Sequence, residues 1–142
     1  MPTFRHGKNA ALKLDNAAGS LVDISNVLNE ISYPREVETG ETTSFGNNAK
    51  TYIVGLSDSS ISLSGTYDTT VDAHIVALIA ALQNETLASA SYEYGPEGTT
   101  SGRVKYSGEA IVTSYEVSSP VADVVTFSLE LQGTGAVTRG TW

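Results

Sequence analysis

Apolar and polar residues alternate along most of this chain. From residue 121 to 131 the odd positions read Val121, Asp123, Val125, Phe127, Leu129, Leu131; the even ones read Ala122, Val124, Thr126, Ser128, Glu130. A period of two predicts a strand with one apolar face and one small, mostly polar face. Residues 10–14 (AALKL) and 21–24 (LVDI) predict a strand pair around the turn DNAAGS. Residues 30–45 place Ile31, Tyr33 and Val37 on one face, and Pro34 marks an edge or bulge because it cannot donate to a ladder. TYIVGL and ISLSGTY predict two strands, with SDSS as a hairpin turn between them. Residues 89–108 predict two short strands around a Gly/Pro/Thr loop. EAIVTSYEV and VADVVTFSLEL form a closing hairpin that turns near SSP. The final QGTGAVTRGTW reads as a Gly-rich tail with little structure of its own.

Only residues 68–84 follow a helical period. Thr69 with Asp72 resembles a capping box, and Asn84 reads as a left-handed stop. Val71, Ile75, Leu78 and Leu82 make the expected stripe, but Val76, Ile79 and Ala80 carry apolar character past one face. A helix laid on a sheet needs one such stripe. Either loops of the same chain or a neighbouring subunit must cover the rest. The count is eight to ten strands and one helix. The expected fold is mainly β, with two packed β-sheets in a sandwich or barrel and a flanking helix. The 142 residues suit one domain.

Composition narrows the function classes. Charged residues are 17 % of the chain, below the ~25 % usual for soluble proteins, so the surface is rich in Ser, Thr, Gly and Ala. A net charge of −8 argues against holding nucleic acid through its phosphates. Without cysteine there is no disulfide, thiolate nucleophile or thiolate metal site. The N-terminal residues lack the apolar core of a signal peptide, and HIVALIAAL is too short to span a bilayer, so an intracellular protein is expected.

Catalytic chemistry is not expected. His6 and His74 have no local partners, and Asp72 sits two residues from His74, off its helix face. GTG at 133–135 has no following helix to receive a pyrophosphate, and GPEGTTSG lacks the lysine of a phosphate loop. Glu36, Glu38 and Glu41 beside Arg35 form the densest acidic patch. Glu36 and Glu38 share a strand face, with Glu41 opposite unless Gly40 bulges. Such a patch is ordinarily a solvated edge that discourages stray pairing. No enzyme, metal or cofactor is expected.

Three ordered pieces carry a family resemblance: GKNAALKLDNAAGSLVDISNVLNEISYP, ETGETTSFGNNAKTYIVGLSDSSISLSGTYD and GEAIVTSYEVSSPVADVVTFSLELQGTG. Together with the single helix between the second and third, they resemble the major tail tube protein of long, non-contractile-tailed bacteriophages. The resemblance implies two packed β-sheets with a helix at the side, and six-subunit rings stacked into a hollow tube that carries viral DNA. It implies a long inter-subunit loop, residues 36–50, centred on Thr42, Thr43, Ser44, Phe45 and Gly46, and extended terminal arms near 1–8 and 133–142. It implies other tail proteins as partners (ruler, terminator and distal tail) and a place in the virion tail after assembly in the host cytoplasm. Val76 and Ile79 on the helix back, with Phe45 and Trp142, are then candidate inter-subunit residues; local packing is the alternative for each aromatic. Glu116, Thr126, Ser128 and Glu130 are candidates to face the lumen. Two other readings stay open: a tube protein of a secretion or gene-transfer particle, and a monomeric β-sandwich binding carbohydrate, with Tyr94 and Tyr106 as a small platform.

Overall fold

A computed structural model describes residues 2–142. Its elements in chain order are β1 (Ala11–Asp15), β2 (Leu21–Asp23), β3 (Leu28–Ser32), β4 (Arg35–Glu41), β5 (Tyr52–Thr66), α1 (Thr69–Gln83), β6 (Ala90–Gly95), β7 (Val104–Ser118) and β8 (Thr126–Thr141). All strand pairs are antiparallel, in the order β2-β1-β6-β7-β8-β5-β3, with β4 also pairing β5. The two expected layers are therefore halves of one curled sheet. Tyr33, next to β3 at one end of the order, meets Tyr92 and Tyr94 of β6 and Tyr106 of β7 at 5.8–5.9 Å between ring centroids. That contact requires the sheet to bend back as a half-barrel.

The concave side holds the core. Leu12 and Leu14 of β1, Ile61 and Leu63 of β5, and Phe127, Leu129 and Leu131 of β8 are buried with Val71, Ile75 and Leu78 of α1 in one cluster. Their spacing follows the strand period of two and the helix period of 3.6. Two polar contacts tie α1 to the sheet. Tyr115 Oη donates to Asp72 Oδ1 at 2.7 Å, and His74 Nε2 lies 2.8 Å from the Asp15 carbonyl oxygen. Burial and the bonded carboxylate both push the Tyr115 hydroxyl up. Gly65 lets the chain before β3 approach β5 closely, since a Cβ there would lie 2.1 Å from the Val27 carbonyl oxygen.

Four local expectations change. SDSS is no turn: β5 runs unbroken through residues 57–60. The final residues are no loose tail, because β8 continues to Thr141 and pairs with β7 from Val104 to Ser107 and at Glu109. The closing turn is wider than SSP; residues 119–125 lie outside the strands, so the alternation read from Val121 becomes a strand only at Thr126. At the helix ends, the N-cap is Asp68, whose Oδ2 accepts from the Thr70 and Val71 amides at 3.1 and 3.2 Å. Asn84 keeps φ at −83°, and Glu85, at φ 58°, takes the left-handed position. Asp68→Ala should lower stability by about 1 kcal/mol, read as a shifted urea midpoint. An unchanged midpoint would show that water replaces the cap.

Candidate functional site

Two surfaces stand out, and strand pairing builds both. Residues directly opposite in an antiparallel pair share a sheet face. Ser62 of β5 and Ser114 of β7 both pair with Glu130 of β8; Ser64 and Glu116 both pair with Ser128; Thr66 and Ser118 both pair with Thr126. The four residues expected to face the lumen, Glu116, Thr126, Ser128 and Glu130, therefore share one convex face. β3 extends it, since Glu30 pairs with Ser64 and Ser32 with Ser62. A bulge between Val112 and Ser114 keeps the alternation right: Val112 and Tyr115 pack against the core, while Ser114 and Glu116 stay exposed. The result is a continuous hydroxyl-rich wall bearing Glu30, Glu116 and Glu130, with no lysine or arginine at any of these positions. The charges at these positions are all negative. Among the described residues, neither histidine is hydrogen-bonded to one of the wall's serines: His6 Nδ1 accepts from Lys8 N, and His74 Nε2 meets Asp15 O. Among the described residues, no group of three or more His, Asp or Glu is placed to hold a metal ion.

The second surface is the hairpin of β4 and the first half of β5. Residues 36–41 of the expected loop 36–50 are strand here, and only residues 42–51 connect the two. Thr42 N donates to Thr51 O at 2.8 Å, the two threonine hydroxyls lie 2.8 Å apart, and Thr51 N donates to Thr43 Oγ1 at 3.0 Å. Asn47 N donates to Ser44 O at 3.3 Å, and Gly46 supplies the left-handed residue at φ 91°. Phe45 stands fully exposed at this tip. Along the arm, Val37, Tyr52, Ile53, Val54 and Leu56 are exposed, Val54 and Leu56 each by 77 %. Glu36 pairs with Asp58, Glu38 lies beside Gly55 and Gly40 pairs with Ile53, so the face opposite Val37, Tyr52 and Val54 is acidic. The register shift falls between Val37 and Thr39, not at Gly40. Contiguous exposed apolar residues with a charged back are the mark of an interaction surface.

The other expected contact residues separate. Val76 is half exposed, among exposed Ala73, Ala77 and Ala80, whereas Ile79 packs against the core cluster. Trp142 packs locally. Its ring lies 5.2 Å from both the Lys13 and Lys105 ammonium groups, its amide donates to Arg103 O, and its carbonyl accepts from Gly102 N. In the N-terminal segment, Arg5 reaches Glu97 at 3.4 Å and Phe4 is exposed. Met1 lies outside the described residues. Tyr94 and Tyr106 form no open platform: they stack on each other at 6.4 Å, half-buried against Tyr33. Asp15, which the sequence places in the DNAAGS turn, is a buried carboxylate whose Oδ2 accepts from Ser91 N at 2.9 Å. Its only sequence signal was a charge ending an apolar run.

Comparison with known proteins agrees with this architecture. The tail of an empty gene transfer agent particle, solved with C6 symmetry, superposes with a TM-score of 0.75 at 17 % identity, covering 97 % of this chain and 100 % of that one. The 6-fold symmetrised baseplate of the anti-feeding prophage contains a chain at TM-score 0.75 and 14 % identity, covering 99 % and 98 %. The SPP1 tail tube gives 0.70 at 14 % identity, covering 97 % and 80 %. These likenesses establish a shared fold. No curated protein sequence matches. The family model of the phage tail tube protein matches residues 5–139. This chain therefore belongs to the phage tail tube protein family and is a structural protein of the tail tube.

Proposed function

We propose that the chain assembles with copies of itself into stacked six-membered rings, and that the convex β3-β5-β8-β7 face lines their channel. The observation that carries this reading is the unbroken hydroxyl wall with three glutamates and no cation. Carboxylates repel phosphates over about one Debye length, ~10 Å at moderate salt. Unlike an apolar or basic wall, this one lets DNA slide. The six-fold symmetry of the gene transfer agent tail and of the symmetrised baseplate supports the ring number. The exposed hairpin supports the joining of one copy to the next, with Thr42, Thr43, Ser44, Phe45 and Gly46 at the contact. Val76 is the helix-back residue best placed to meet a neighbour. In this reading the subunit assembles in the host cytoplasm, ends in the virion tail, and abuts ruler, terminator and distal tail proteins. The same tube would serve a gene-transfer particle, and neighbouring genes would separate the two.

Negative-stain electron microscopy of the purified chain tests the proposal. Rings or tubes with six-fold averages are expected. A chain that stays monomeric at high concentration, even with tail initiation proteins added, would overturn it.

A further inference from the structure

The hairpin arm leaves the body at one narrow place, and contacts converge there from both strands. Residues 60–66 of β5 pair with β8, and the pairing ends at Ser60 with Gln132. Beyond it β5 pairs only with β4, while β8 continues along β7. Between Arg35 and Ser57 every residue except Gly40 is exposed, so the arm's own flanks do not fix its direction.

On the β3–β4 strand, Tyr33 sits directly before the arm. Its ring meets Tyr92 and Tyr94 edge-on, at interplanar angles of 75° and 80°, and Tyr106 at 60°. The Tyr33 and Tyr92 hydroxyls hydrogen-bond, and Pro34 O accepts from Ser60 N at 3.2 Å. On the β5 strand, Gln132 Nε2 donates to Asp58 Oδ1 at 2.7 Å and to Ser59 O at 3.1 Å. The backbones touch here: a Cβ on Gly133 would lie 2.2 Å from Ser59 Oγ and 2.8 Å from Ser59 O. Ser59 is buried, although it borders an exposed arm.

We infer that Tyr33 and Gln132 are positioning residues that lock the arm's root, so that the free subunit already holds the hairpin at the angle assembly uses. Pre-ordering removes part of the entropy lost on association. The tyrosine cage fixes one strand and the carboxamide clamp the other. Both act through contacts within their own subunit. The inference rests on the reading that the arm meets a second copy.

The chain lacks cysteine, so spin labels can be placed cleanly through Asn47→Cys at the tip and Ala73→Cys on the helix. Distances are measured by double electron–electron resonance on the full chain, dilute and unassembled. One narrow distance is expected, lost in Tyr33→Ala and in Gln132→Glu, which keeps the size but not the donor. Tyr33→Phe keeps the ring and should retain the narrow distance. Hydrogen exchange in β6 and β7 should stay slow in Gln132→Glu while the Ser60 amide exchanges faster. A broad distribution in the unsubstituted arm would overturn the inference. So would narrow distances in both Tyr33→Ala and Gln132→Glu, or a Phe variant as broad as the Ala one. If Tyr33→Ala fails to fold, Gln132→Glu decides alone. These distances judge the joint, while microscopy of the concentrated chain judges assembly, so either can fail without the other.

Discussion

Leu129→Ala should lower the unfolding free energy by about 3 kcal/mol, within the 2–5 kcal/mol typical of buried leucine truncations. Leu129 is fully buried and is paired in register with Leu63 on one side and Tyr115 on the other. It belongs to the same buried cluster as Val71, Ile75 and Leu78 of the helix. Truncation removes the transfer energy of the lost methyl groups. It also leaves a cavity that paired strands on both sides cannot close. Against a typical stability of ~5–15 kcal/mol, this is a large fraction. Urea unfolding should show a lower midpoint at an unchanged slope. A loss below ~1 kcal/mol would mean that the helix settles into the gap, and the sheet–helix packing would be looser than described.

Glu116→Lys with Glu130→Lys should convert a passive channel into one that holds DNA. Each replacement changes the charge by two, so the chain goes from −8 to −4, and the change falls on a face with no lysine or arginine at its paired positions. Both side chains are exposed and the strands pair through their backbones, so folding and assembly should survive. Assembled tubes of the double variant should bind DNA non-specifically, with Kd on the order of 10⁻⁴–10⁻⁶ M at physiological salt, and release it as salt rises. Unsubstituted tubes should not. In virions the variant should slow genome passage, read as delayed DNA release on triggering. Identical DNA retention and release by both tubes would sink the channel assignment of this face. It would leave tube formation itself standing.

The helix back changes as a target for mutation. The sequence made Val76 and Ile79 equivalent, since both lie off the main apolar stripe. In the fold, Ile79 joins the core margin while Val76 is half exposed. A charge at Ile79 would therefore disturb folding as well as any contact, and Val76 is the cleaner probe of an interface.

What the sequence determined by itself was the local alternation and its one interruption. Period-two runs located the apolar faces of β1, β5 and β8, and a period near 3.6 located α1, because side-chain direction follows backbone geometry residue by residue. The low charge, the small polar residues on β8 and the resemblance of three ordered pieces were also legible there. The tertiary structure alone decided what depends on partners distant in the chain. SDSS looks like a turn because Ser and Asp favour turns locally, yet pairing with β4 and β8 holds it extended. The Gly-rich end looks unstructured because glycine weakens strands, yet the ladder with β7 orders it, and two lysines and the Arg103–Gly102 backbone retain Trp142. The wall of Glu30, Glu116 and Glu130 comes from three strands scattered over a hundred residues of chain. Its continuity is a matter of register, which long-range hydrogen bonds fix and local sequence does not encode.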